Sequence, residues 1–185
     1  APRLPPGDIH FRQGSFDVGM VQLDSVRVDV PATLQAARHM LASWPAHVEH
    51  EMAFLKSVSA GLVVADIPGL PWQAAHCLGV PAVAVGNFAW DWIYEPFAEE
   101  HRGWQPIIDA YREAYACSDV LLRLPFHEPM AAFPRRVDIP ILARPGRPRR
   151  AELARHTGAP PDATWVLGKP PGLYAMKDMI GELNA

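Results

Sequence analysis

The chain of 185 residues has only two cysteines, Cys77 and Cys117, far apart and each in an apolar setting. That excludes a disulfide-stapled scaffold and predicts two buried free thiols in a reducing compartment, hence a cytoplasmic protein. No apolar run approaches the roughly 20 residues that span a bilayer, and the opening APRLPPGD carries no basic-then-apolar signal. There is no G-x-G-x-x-G, no phosphate loop, no C-x-x-C and no G-x-S-x-G, which removes the common dinucleotide, nucleoside triphosphate, redox and serine-hydrolase signatures. The segment His47-Val-Glu-His50-Glu51 has two histidines at i and i+3, with Glu51 outside them. A metalloprotease needs i and i+4 with the glutamate between, so no metal is expected.

What is present fits a globular α/β domain. The chain is 49% hydrophobic and 20% charged, which is enough to form a core. Its 20 prolines cluster in connections. Charge is uneven, with a net of −7 over residues 1–134 and +4 over 135–185. The basic stretch holds Arg135, Arg136, Arg144, Arg147, Arg149, Arg150 and Arg155 but no interleaved aromatics, and prolines break it. That argues for a solvated linker rather than a nucleic-acid surface.

Residues 8–12 alternate like a short edge strand, and 14–30 read as loop. Pro31 opens a helix whose apolar positions are Leu34, Ala37, Met40, Leu41 and Trp44. A second helical stretch runs through Val48, Met52, Phe54 and Leu55. Residues 61–67 form an unbroken β-branched run ending in Asp66, as in a strand buried in a parallel sheet. A proline-glycine turn, a helix at 72–78 and a strand at 81–85 complete a β–α–β unit. A helix at 103–117, with Ile107, Ile108, Tyr111 and Tyr115 inward, leads to a strand at 119–124. Further on, the pattern predicts a short strand at 139–142, a helix at 148–157 and a strand at 164–167. The order predicts a right-handed parallel sheet with helices on both sides, a Rossmann-like three-layer domain.

Ligands of such sheets sit beyond the carboxyl ends of the strands. There the sequence places Asp66, the aromatic string Asn87-Phe-Ala-Trp-Asp-Trp-Ile-Tyr94, and Arg123 with His127. Asp66 can grip hydroxyls or cap the following helix. At helical spacing Asn87, Trp90, Asp91 and Tyr94 share one face, where aromatic, amide and carboxylate groups make a sugar site. The plainer alternative is an aromatic helix packed on the sheet with Asn87 as its N-cap. Arg123 can hold a phosphate or carboxylate, and His127 can handle a proton. The plainer alternative there is an ion pair with a neighbour such as Glu128.

The string Leu62-Val-Val-Ala-Asp-Ile, with Gly79-Val-Pro-Ala-Val-Ala-Val-Gly-Asn-Phe-Ala-Trp-Asp-Trp-Ile-Tyr94, resembles the amino-terminal region of plant-type L-arabinokinases and related bacterial glycosyltransferase-like proteins. Asp17-Val-Gly-Met-Val-Gln-Leu-Asp-Ser25, Asp29, Leu122-Arg-Leu-Pro125, Phe133 and Asp138-Ile-Pro140 extend the likeness over most of the chain. The resemblance implies a GT-B fold, two Rossmann-like domains with a nucleotide-sugar site between them, of which this is acceptor-side material. It implies residues 1–147 as the acceptor-side domain and 148–185 as the start of a second. The family's opening strand, its Gly-His-Gly-x-Gly-His loop and its donor domain have no counterpart here. The expectation is an incomplete half, truncated at both ends, without turnover on its own and without a cofactor. It binds a sugar or glycoside through Asp66, Asn87, Trp90, Asp91, Tyr94 and Arg123, and its catalytic residues are unassigned. A non-catalytic binding or oligomerisation module, with a homodimer covering exposed sheet edges, is the alternative.

Overall fold

The computed structural model describes residues 9, 11–24, 26–143, 146–160, 162 and 164. The chain divides into two compact units, Ala1–Val21 with Asp29–Pro140, and Gln22–Val28 with Ile141–Ala185.

The first unit is an α/β domain with a four-stranded, all-parallel sheet. Its elements run α1 (Val30–Ser57), β1 (Val63–Asp66), α2 (Leu70–Leu78), β2 (Ala82–Gly86) and α3 (Trp90–Glu100). A 3₁₀ turn (Arg102–Trp104), α4 (Gln105–Ala116), β3 (Val120–Arg123) and β4 (Arg136–Asp138) follow. The strands lie in the order β1-β2-β3-β4, each parallel to the next. Consecutive strands in one direction, joined right-handedly, put their crossovers on one face. There α1, α2 and α4 pack on one another, over Val63, Ala82, Ala84 and Leu121. Trp72 and Tyr115, both with no exposed surface, meet Phe133 in edge and stacked contacts. Full burial of each such ring contributes roughly 1.5–3 kcal/mol. The opposite face presents Val64, Val83, Val85, Val120, Leu122 and Val137. Of these, Val64 is 59% exposed, as is 55% of the neighbouring Leu62.

α1 starts where Pro31 predicts, with the Asp29 carboxylate accepting from Ala32 N at 2.9 Å. It is one helix of 28 residues rather than two. Leu34, Ala37, Trp44, Val48 and Leu55 keep one buried stripe across Pro45, which is exposed. Ile107, Ile108, Tyr111 and Tyr115 of α4 are inward as expected. The short strand comes earlier than 139–142. Its last ladder bond is Ile139 N–H to the Arg123 carbonyl, and Pro125, next in line on the β3 side, has no N–H to give the Ile139 carbonyl. Residues 9, 11 and 12 form no strand. Nor is Cys77 buried: α2 turns Leu70, Trp72, Ala74 and Ala75 inward and leaves Cys77 exposed, while Cys117 is half-buried.

In the second unit, α5 (Arg150–Thr157) ends at Gly158 in the left-handed region (φ 72°), as expected. Gln22 and Val28 form an isolated antiparallel bridge. The strand expected at 164–167 lies outside the described residues except for Thr164. No described helix is long and apolar enough to cross a membrane.

Candidate functional site

The carboxyl ends of β1, β2 and β3 bring Asp66, Gly86 and Arg123 into neighbouring register positions, with Asp138 of β4 beyond. A Cβ on Gly86 would lie 2.2 Å from Ile67 Cδ1 and 3.5 Å from Asp66 Oδ1. The glycine is what lets the β1 and β2 ends close up. Ile67 pays for that approach with φ +77°, a strained setting for a β-branched residue. The Asp66 carboxylate makes no hydrogen bond among the described residues, and partial burial raises its pKa.

The aromatic string does not act as one face. α3 begins at Trp90 with Ala89 as its N-cap, so Asn87 lies outside the helix and neither caps it nor shares its faces. Trp90 and Tyr94, one turn apart, stack at 5.6 Å between centroids. They hold the preceding segment: Trp90 Nε1 donates to Asp17 Oδ2 at 3.0 Å, and Tyr94 Oη donates to the Gly19 carbonyl at 3.0 Å. Tyr94 has no exposed surface, and burial raises the pKa of its hydroxyl far above the usual range.

Asp91 instead pairs with Arg112 of α4. With Trp92, Glu95, Arg112 and Glu128 it lines a cleft of about 450 Å³. Arg112 Nε donates to Asp91 Oδ2 at 3.2 Å, and its Nη2 donates to Glu95 Oε1 at 2.9 Å. The loop after β3 supplies Glu128. The loop is pinned by Glu128 N–H to the Asn87 carbonyl at 3.0 Å, and Glu128 Oε2 accepts from Met130 N at 2.6 Å. Its other oxygen, Oε1, is buried without a partner among the described residues. Burial raises the pKa of Asp91, which Arg112 offsets in part. Burial also raises that of Glu128, and the Asp91 charge adds to the rise. Trp92 stays 47% exposed at the cleft. The result is a recess at the strand ends with carboxylate acceptors, one guanidinium and an exposed indole.

Arg123 pairs with Asp138 at 2.6 Å and donates to the Pro129 carbonyl at 3.3 Å. Its partner is therefore on the adjacent strand rather than Glu128. His127 Nε2 lies 4.0 Å from the same Asp138, and Phe126 beside it is 94% exposed. Glu51 of the His47-x-x-His50-Glu51 segment is buried and paired with Arg12. The sequence reading passes over Arg112, whose signal is a lone cation between inward-facing Ile108 and Tyr115 on α4. It counts Trp92 only as an accompanying aromatic and Glu128 only as a salt-bridge neighbour.

Over 181 residues, 93% of this chain, the sequence is 32% identical to L-arabinokinase of Arabidopsis thaliana, and it spans 17% of that protein. No family model matches the chain, and no solved structure matches it. The chain is thus related, over nearly its whole length, to a segment of an arabinokinase-like protein.

Proposed function

We propose that this chain is the acceptor-side domain of a glycosyltransferase-like protein of GT-B type, which binds a sugar or glycoside and does not turn it over by itself. In this reading residues 1–147 are the acceptor-side domain and 148–185 open a second one. The observation that carries it is the strand-end cleft: Asp91 and Glu128 as hydroxyl acceptors, Arg112 as donor, and Trp92 offering an exposed indole. The unpartnered Glu128 Oε1 is a buried acceptor that a ligand hydroxyl would satisfy. Asp66 and Asn87, whose side chains are unpartnered among the described residues, add polar groups at neighbouring strand ends. The relationship to a protein named for arabinose supports a sugar as ligand. The 185 residues contain no glycine-rich phosphate loop, so a binding role suits them better than phosphoryl transfer.

Calorimetric titration of the chain with free pentoses and hexoses, their glycosides and nucleotide sugars tests this. The expected result is binding of a sugar or glycoside, weakened at least tenfold by Asp91→Asn and by Trp92→Ala in variants that remain folded, about 1.4 kcal/mol each. Tight nucleotide-sugar binding, or no sugar binding at all, would overturn the proposal.

A non-catalytic module that pairs with a second copy is favoured by one observation, the apolar outer face of the sheet with Leu62 and Val64 exposed. Four strands about 4.8 Å apart and about four residues long give roughly 250 Å² of face. A stable dimer buries about 800 Å² per partner. That face alone falls short, so this reading ranks second.

A further inference from the structure

A second cleft, of about 760 Å³, lies between the first turns of α1, the end of α3 and the 3₁₀ turn, away from the strand-end site. Gln35, Arg38 and His39 line it from α1, and Glu100, His101 and Trp104 from the other side. Three donors there are unused. Trp104 has no exposed surface, and its indole N–H is buried with no acceptor among the described residues. The indoles of Trp44, Trp72 and Trp90 each donate, to Gln73, Val83 and Asp17. A buried donor left unpaired is costly, so it points to an acceptor that arrives from outside.

Arg38 makes no ion pair among the described residues, whereas Arg12, Arg27, Arg112, Arg123 and Arg149 are each paired. Its Nη2 rests on the 3₁₀ turn, where a Cβ at Gly103 would come within 2.0 Å of it. Only glycine leaves room for the guanidinium there. His101 Nδ1 accepts from Gly103 N at 3.0 Å. That bond fixes the turn and leaves the ring proton on Nε2, a third donor.

We propose that this cleft binds the phosphate group of a small phosphorylated, hydroxyl-bearing molecule. Arg38, the Trp104 indole N–H and His101 Nε2 are donors from two elements that surround an anion of several oxygens better than a planar carboxylate. Glu100 on the rim is the one carboxylate present, and it suits hydroxyls on the rest of the ligand. The volume matches an ordinary small-molecule site.

The test is ¹H–¹⁵N NMR of the full chain, following the indole N–H signal that Trp104→Phe removes. Inorganic phosphate, a sugar phosphate, acetate and the uncharged sugar are the probes. The expected result is a saturable shift with phosphate and a larger affinity for the sugar phosphate. Acetate binds at least tenfold more weakly, and the uncharged sugar leaves the signal in place. Arg38→Gln lowers phosphate affinity at least tenfold at unchanged melting temperature, while Asp91→Asn leaves it unaltered. No saturable shift with phosphate, equal binding of acetate, or an unaffected Arg38→Gln variant would overturn the proposal. Arg38 is on the surface, so its variant folds and decides the matter even where Trp104→Phe does not.

Discussion

Burial holds the protons of Asp91 and Glu128 more tightly in the folded chain than in the unfolded one, and Arg112 only partly opposes this at Asp91. The sign follows from linkage. Above the ordinary carboxylate range the unfolded chain has released protons that the folded chain keeps, so this contribution to stability falls as pH rises through the folded values. Asp91→Asn removes one of these groups. Urea unfolding from about pH 4 to about pH 7 is expected to show Asp91→Asn gaining stability relative to wild type as pH rises. A relative loss would contradict the placement of Asp91. The same residue shows how far sequence spacing reaches. Asp91, Trp90 and Tyr94 stand out as unusual polar and aromatic groups in one short string, and all three are structurally engaged. Spacing could not show that Trp90 and Tyr94 turn toward Asp17 and Gly19 while Asp91 turns toward Arg112. That division depends on where α3 begins, and Ala89 rather than Asn87 sets it.

At the scale of elements, the helices are fixed by apolar stripes and interrupted by residues that sequence rules weigh too heavily. Apolar spacing suggests two helical stretches, yet the stripe from Leu34 to Leu55 packs as one surface across Pro45. Pro45 lacks the N–H that an interior helical residue donates. Pro45→Ala is therefore expected to stabilise the chain by about 1–2 kcal/mol, after allowing for the greater freedom of the unfolded variant. Thermal unfolding measures it, and destabilisation would mean that Pro45 makes a contact the helix needs. Gly69 ahead of α2 has the opposite character. A Cβ there would sit 2.7 Å from the Ala114 Cβ of α4 and 3.6 Å from Tyr115. Both neighbours are buried and cannot retreat, so Gly69→Ala is expected to cost about 1–3 kcal/mol. A neutral result in denaturant unfolding would show that α2 and α4 are less closely packed than described. The strands were legible because β-branched runs in a β–α–β order mean a parallel sheet. The β4 register was not, since it depends on the ladder stopping where Pro125 has no donor for the Ile139 carbonyl.

For the whole molecule, the order of elements foretells an α/β domain with its polar groups at the strand ends, and the structure has both. It does not foretell that α1, α2 and α4 gather on one face, because handedness and strand order act together only once β1 to β4 are aligned. Among the described residues, the opposite face carries Val64 and Leu62 as exposed residues. Val64→Lys is expected to change stability by less than about 0.5 kcal/mol. It should lower any self-association seen by sedimentation. A large destabilisation would show that something in the chain covers that face.

The most direct test of the account is chemical-shift mapping of the full chain on titration with L-arabinose and other free sugars. The account predicts saturable shifts confined to the strand-end cleft: the Trp92 indole, the Arg112 side chain and the backbones of Asn87, Asp91 and Glu128. Shifts that avoid those residues, or their absence with every sugar, would contradict it.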